Sequence, residues 1–298
     1  MLKKLKAFKL LGGGELQYKR YTRSKFVSAI FVVFLLAFGL VCVLPLIYCV
    51  ATSLKPLDEI LIFPPRFFVR RPTIANYTLL PSLLSKLKVP LSRYVFNTVF
   101  ITIVGTITHI LAAAAAAFFF SKCKKKWVGI VFLMVQFSLL YNGTTLGVPQ
   151  YIIFSKMGII DTYWVYILPH IPSAMGVFLM KQYMDGSVPD SLLEAARIDG
   201  AGYPLIFWKI VMPMVKPAWL TLLLYAFRDM WATQSATTIF TESLKTLPAA
   251  MSQITNAGVA RTGSAMATTV ILMIPPILVY LISQSNVMET MSNAGMKD

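Results

Sequence analysis

Residues 26–54 read FVSAIFVVFLLAFGLVCVLPLIYCVATSL, a run of 29 residues without an acidic or basic side chain. As a helix it would rise about 44 Å, more than the roughly 30 Å hydrocarbon core of a bilayer. Lipid offers no water to unpaired backbone groups, so a run of this kind has to satisfy its own N–H and C=O groups as a helix. Residues 94–121 form a second such stretch, with His109 its one basic side chain, and residues 127–155 a third. Residues 162–180 are shorter and carry Pro169, His170 and Pro172; residues 262–288 carry the pair Pro275 and Pro276, which predicts a kinked helix. The remaining candidate, 217 to about 240, is interrupted by Arg228 and Asp229. The expectation is an all-α polytopic membrane protein with six transmembrane helices. Composition agrees: 57% hydrophobic against 13% charged residues is more apolar surface than a soluble chain of 298 residues can bury.

The net charge of +16 is read first as topology. Lys3, Lys4, Lys6, Lys9, Lys19, Arg20, Arg23 and Lys25 crowd residues 1–25, and Lys122, Lys124, Lys125 and Lys126 lie between the second and third spans. Two crossings separate these clusters, so both fall on one side, which the positive-inside rule makes cytoplasmic. Residues 1–25 are then a cytoplasmic basic tail resting on anionic lipid, and residues 55–93, rich in proline, an extracytoplasmic loop. The apolar run after the tail is too long for a signal-peptide core, and no cleavable signal is expected. Residues 26–288 make one six-span membrane domain, followed by a tail at 289–298. Cys42, Cys49 and Cys123 have neither CxxC spacing nor ligand neighbours, so no disulfide framework or metal site is expected. The alanine run 112–117 would let another helix approach closely.

Residues 185–216 do not belong to a generic bundle. After Pro189, the segment Asp190-Ser-Leu-Leu-Glu-Ala-Ala-Arg-Ile-Asp-Gly-Ala-Gly202 begins with helix-start signals, Ser191 and Glu194 having the spacing of a capping box. Gly200 is placed to end that helix, and a second short helix over 203–211 would stop at Pro213. The result is a helix, turn, helix lying across the membrane face. The string Glu194-Ala195-Ala196, then Asp199-Gly200-Ala201, then Phe207, Ile210, Pro213 and Pro217 resembles the EAA motif of permease subunits of binding-protein-dependent ABC importers, in the MalG-like form of carbohydrate importers. Met212 stands where leucine usually precedes the proline. The six-span layout, the long loop after the first span and the position of the motif agree with that family.

The resemblance implies a coupling helix that docks into a cleft of a separate ATPase, with Glu194, Ala195, Ala196, Asp199, Gly200, Ala201, Phe207 and Pro213 as the coupling residues. It also implies a second permease subunit, making a heterodimer, with two ATPase subunits and an extracytoplasmic solute-binding protein. No phosphate-cradling loop GxxxxGK[ST] occurs in the chain, so ATP and magnesium would belong to the ATPases. No catalytic set, cofactor or nucleic-acid partner is expected, and His109 and His170 read as isolated helix-packing donors.

Cargo would be lined by side chains that lipid rejects. Tyr225, Arg228, Asp229 and Trp231 in the fifth span, and Gln136, Tyr141 and Asn142 in the third, combine aromatic faces with hydrogen-bonding groups, which suits a sugar. The alternative reading is that Arg228 and Asp229 mark a helix end at the headgroups. Import of another solute, such as an amino acid, a polyamine or a phosphonate, is the alternative transporter reading, and a membrane enzyme or scaffold the alternative class.

Overall fold

The computed structural model describes residues 25–85, 89–140, 146–234, 238–255, 258 and 261–295. Among them the chain is helical, without strands. The helices are α1 (Lys25–Ser53), α2 (Leu57–Ile60), α3 (Ala75–Ser85), α4 (Leu91–Lys122), α5 (Lys126–Ser138), α6 (Gly147–Lys156), α7 (Trp164–Ile167), α8 (Ala174–Ser187), α9 (Asp190–Ile198), α10 (Tyr203–Met214), α11 (Lys216–Trp231), α12 (Leu247–Thr255) and α13 (Thr262–Gly295). Two compact units divide the chain, Met1–Tyr48 and Cys49–Asp298. The described part of the first is one helix, apolar on every face, as lipid-facing helices are.

In the second unit α4 is the axis. Its buried side carries Tyr94, Asn97, Thr98, Ile101, Thr102, Gly105, Thr106, Ile110, Ala113, Ala114 and Ala117. The opposite stripe, Phe96, Phe100, Ile103, Ile107 and Leu111, is exposed. Three threonines and an asparagine face inward while Phe96, Phe100, Ile103 and Ile107 face outward, an arrangement expected where the surroundings are hydrocarbon. Helix α8 packs on the alanine run of α4, where Ala113, Ala114 and Ala117 meet Met180 and Met184 in one buried cluster. Helix α11 packs on another side of α4 and in turn carries α13. Helices α4 and α11 come close at Gly105, where an added Cβ would collide with the Met230 sulfur.

Three helices, α1, α4 and α13, are long and apolar enough to cross a membrane, and α10 with α11 counts as a fourth if that pair, bent by 82°, is one broken span. Among the described residues the expected count of six spans is not confirmed. The third stretch is split: α5 ends at Ser138 and α6 begins at Gly147. The fourth is broken at the prolines, so α7 is a single turn and α8 starts at Ala174, where Ser173 accepts from the Gly176 N–H, and continues to Ser187. Proline removes a donor and disfavours α geometry before it, which is why Pro169 and Pro172 end one helix and Ser173 caps the next. Helix α11 stops at Trp231, short of 240. Helix α13 contains Pro275 and Pro276 and reaches Gly295, so helix extends into the expected tail.

Within 55–85 the chain carries two helices and internal hydrogen bonds. Buried Glu59 accepts from the Arg70 N–H at 2.9 Å, and Asn76 donates to the Ser53 and Lys55 carbonyls, both at 2.8 Å.

A methyl group at Gly105 would have to displace Met230. Gly105→Ala should lower thermal stability by about 2 kcal/mol. Combined with Met230→Ala, the loss should fall short of the sum of the two single losses, measured by thermal unfolding in detergent.

Candidate functional site

Helix α9 follows the two-residue link Val188-Pro189 out of α8. Its N-cap is Pro189 without a side-chain cap, so the expected Ser191–Glu194 capping box does not form. Asp190, in the first turn, faces the end of α4 instead. Its carboxylate accepts from Lys122 at 3.0 Å and pairs with Lys124 at 2.9 Å, and these bonds, Lys124 first, hold its carboxyl below the ordinary carboxylate range. Lys122 donates further to the Val188 carbonyl at 2.6 Å. At the C-terminal end Gly200 takes φ +83°, the left-handed conformation that glycine adopts without strain. The Gly200 N–H donates to Arg197 and the Ala201 N–H to Ala196, the paired bonds of a Schellman stop.

This geometry gives the elbow two faces. Leu193, 9% exposed, enters the cluster of Ala113, Ala117, Met184 and Ile206, and Ala196 packs beside it. The Phe207 ring packs tilted against Phe118 of α4, with ring centroids 5.7 Å apart. Glu194, Ala195, Asp199, Gly200 and Pro213 are exposed, as are Leu192, Tyr203, Leu205, Trp208 and, at 87%, Ile198. Arg197 lies over the Tyr203 ring and donates to its hydroxyl at 2.6 Å, linking α9 to α10 across the turn. A cleft of about 320 Å³ opens between α4 and the elbow, lined by Phe118, Lys122, Lys124, Asp190, Leu193, Glu194, Arg197, Tyr203 and Ile206.

Helix α10 does not end at Pro213 as expected. A π turn at Phe207–Val211 precedes it, helix continues through Met212–Met214, and the chain bends by 82° at Val215 into α11. Proline is tolerated at the start of a helical turn, where its missing N–H is not needed, so Pro213 and Pro217 sit at helix starts on both sides of the bend. If α11 crosses the membrane, α10 lies along its face.

The second group sits on α11. Arg228 follows Lys216 by twelve residues, about 18 Å along the helix. Tyr225, Arg228 and Asp229 are exposed, and among the described residues neither Arg228 nor Asp229 makes an ion pair. Trp231 is turned elsewhere: its indole N–H donates to the Leu272 carbonyl of α13 at 2.9 Å, and the ring stacks on Phe227. Gln136 is half-buried on α5, while Tyr141 and Asn142 lie outside the described residues. The histidines are not isolated, since His109 Nδ1 lies 2.6 Å from the His170 carbonyl and joins α4 to the break before α8.

At the other end of α4 a polar network fixes the segment after α11. Asn97 donates to the Ser243 and Lys245 carbonyls, Tyr94 to Glu242, and the Leu247 N–H donates to Thr98 Oγ1. Asp161, at φ +60°, accepts from the Phe240 and Thr241 N–H groups at 2.9 Å each and from the Thr241 hydroxyl. The Thr241 hydroxyl, then its N–H, holds the Asp161 carboxyl below its ordinary range. Such a contact is fully present above about pH 4, the unperturbed carboxylate value, and is lost as pH falls through the lower folded value.

Residues 18–292 match the family described as the binding-protein-dependent transport system inner membrane component. The chain is 30% identical over 213 residues to the polygalacturonan/rhamnogalacturonan transport system permease protein YtcP of Bacillus subtilis, covering 67% of each chain. It is 24% identical over 282 residues to the galactooligosaccharides transport system permease protein GanQ of the same organism, covering 92% of this chain and 97% of that one. Its fold is similar to a chain of a bacterial ABC transporter involved in the import of the acidic polysaccharide alginate, with a TM-score of 0.73 and 23% identity over 89% of this chain and 98% of that one.

Because the Trp231 indole is engaged with α13, Trp231→Phe should keep the stack on Phe227, lose one hydrogen bond, and cost about 1 kcal/mol of thermal stability. Uptake by the folded variant should stay within about twofold of the parent, a difference below 1 kcal/mol.

Proposed function

The chain belongs to the family of binding-protein-dependent transport system inner membrane components, and from that premise we propose that it is the permease subunit of an ABC importer that moves a carbohydrate into the cell. The observation that carries the mechanism is the two-faced elbow: Leu193 and Ile206 are embedded in the bundle while Glu194, Ala195, Asp199 and Gly200 stand outward. An exposed ridge of small and apolar residues, edged by carboxylates and rooted in the core, suits insertion into a groove of another protein. The partner is an ATPase subunit, which binds ATP and magnesium and hydrolyses the nucleotide. Glu194 anchors the contact by charge-assisted hydrogen bonds. Gly200 keeps the turn that ends the ridge, and Phe207, packed on Phe118, holds α10 against α4.

The working assembly holds a second permease subunit as a heterodimer, two ATPases and an extracytoplasmic solute-binding protein. In it residues 1–25 and 185–216 are cytoplasmic and residues 55–93 face outward, within a six-span layout over 26–288. The common end of Lys122, Lys124 and the elbow supports placing both on one side. ATPase closure pulls the elbows together, and the two permeases rock between inward-facing and outward-facing states around a central site.

Cargo meets the exposed face of α11, where Tyr225 offers a ring to sugar CH groups and Arg228 a charged fork to hydroxyls or carboxylates. Asp229 and Gln136 supply further polar contacts, and Trp231 holds α11 against α13. An exposed arginine without an ion pair among the described residues favours acidic sugars, in line with the relatives named for polygalacturonan and alginate transport.

Two outcomes test the reading. Glu194→Lys and Gly200→Asp should each abolish uptake while the permease still inserts, and the ATPase should hydrolyse ATP without transport. Undiminished uptake in either variant, with the ATPase bound, would refute docking through the elbow. Arg228→Gln should reduce uptake of an acidic oligosaccharide about tenfold, the worth of a charge-assisted hydrogen bond, and leave a neutral oligosaccharide of equal length nearly unaffected.

A further inference from the structure

The link between α8 and α9 is gripped by the end of α4 from both sides. Before the link, Asp185 of α8 accepts from the Ser121 hydroxyl of α4 at 2.6 Å and from Lys181 at 2.6 Å. After it, Asp190 of α9 accepts from Lys122 at 3.0 Å, and the same ammonium donates to the Val188 carbonyl inside the link at 2.6 Å. Lys122 is 15% exposed at its side chain, whereas Lys124, which also pairs with Asp190, is 80% exposed. An ion pair open to water contributes little, so the grip rests on Lys122.

Covalently, α9 is joined only to α8 and, through the turn at Gly200, to α10. The helix that the rest of the bundle packs against is α4, whose chain ends 68 residues before Asp190. Apolar contacts at Leu193 and Ile206 resist compression, but they slide, because dispersion has no preferred direction. Lys122 adds bonds with direction: one ammonium fixes both a carboxylate at the start of α9 and the carbonyl that precedes it.

We propose that Lys122 is a coupling strut: through Asp190 and the Val188 carbonyl it passes displacement of the elbow directly to α4, so that this lysine is a positioning residue of the transport cycle as well as a topological charge. The proposal rests on the reading that the elbow receives the ATPase. It requires that breaking the strut leave docking intact and make the ATPase drive fewer transport events per ATP.

The test uses the complete transporter, both permeases with ATPase and binding protein, reconstituted in vesicles. ATP hydrolysis and uptake are measured together, and retention of the ATPase is scored by co-purification. Lys122→Met and Asp190→Asn should each raise the ATP consumed per cargo about fivefold, the scale of one partly screened ion pair, with the ATPase retained. Lys122→Arg should stay near the parent, and Lys124→Met should have little effect. If Lys122→Met lowers expression, Asp190→Asn, isosteric at a half-exposed position, carries the test alone. An unchanged ratio in Asp190→Asn, or an equal rise in Lys124→Met, would overturn the strut. Failure of the docking reading looks different: Gly200→Asp would then transport normally, whatever Lys122 does.

Discussion

The close approach of α8 to the alanine run of α4 is the contact on which the rest of the second unit depends. In a bilayer, helices gain no hydrophobic free energy by leaving lipid for one another, so association rests on contact area and on backbones that come close. Ala113, Ala114 and Ala117 are almost fully buried, and a Cβ at Gly176 would lie 3.1 Å from Ala113 and 3.2 Å from Leu222 of α11. That one glycine therefore sits where α4, α8 and α11 meet. The elbow is added to the same cluster, because Leu193 and Ile206 fill the space at its lower end. The exposed ridge is positioned by the core, not by the loop that carries it.

Much of this was legible in the residues, and the parts that were not have physical reasons. Charge-free runs located α1, α4 and α13, since hydropathy reports lipid contact directly. It reports less where prolines interrupt, because the freed backbone groups are satisfied by neighbours that a linear reading does not contain; Ser173 capping α8 after Pro172 is such a case. Gly200 was readable as a helix stop, since a left-handed residue after EAA has few alternatives. The capping box does not form for a related reason. Ser191 and Glu194 have the right spacing, but Asp190 is drawn to Lys122 and Lys124, and that long-range attraction leaves Pro189 as the cap.

The candidate site divides in the same way. Glu194 and Asp199 belong to a contiguous motif, so their exposure on one elbow follows from local periodicity. The role of Trp231 does not: only the packing of α11 on α13 gives its indole the Leu272 carbonyl as a partner. Lys122 carried a hint, because the parity of the spans put it on the side of the elbow, yet nothing in the spacing of residues 122 and 190 indicates a bond. Asp161 carried less still, since a lone aspartate before an apolar run gives no sign that it will take the N–H groups of residues 240 and 241.

Both ends of α4 are held by several bonds with direction, and its middle by one, between His109 Nδ1 and the His170 carbonyl. At the elbow end the bonds run from Ser121 and Lys122 to carboxylates and a carbonyl. At the other end Asn97 and Thr98 engage the backbone of residues 243, 245 and 247. Between them, apart from His109, alanine and glycine of α4 pack mainly by dispersion on methionines of α8 and α11. A helix gripped at both ends is suited to move as one rod with the elements it grips, as in rigid-body rocking of bundles. The carboxylates near the two ends are placed to match: Asp185 and Asp190 at one end, Asp161 and Glu242 near the other. In a chain with 28 basic residues, each carboxylate placed at an end has a cation or an N–H to meet, and the same carboxylate in the middle would have to be buried in hydrocarbon without one.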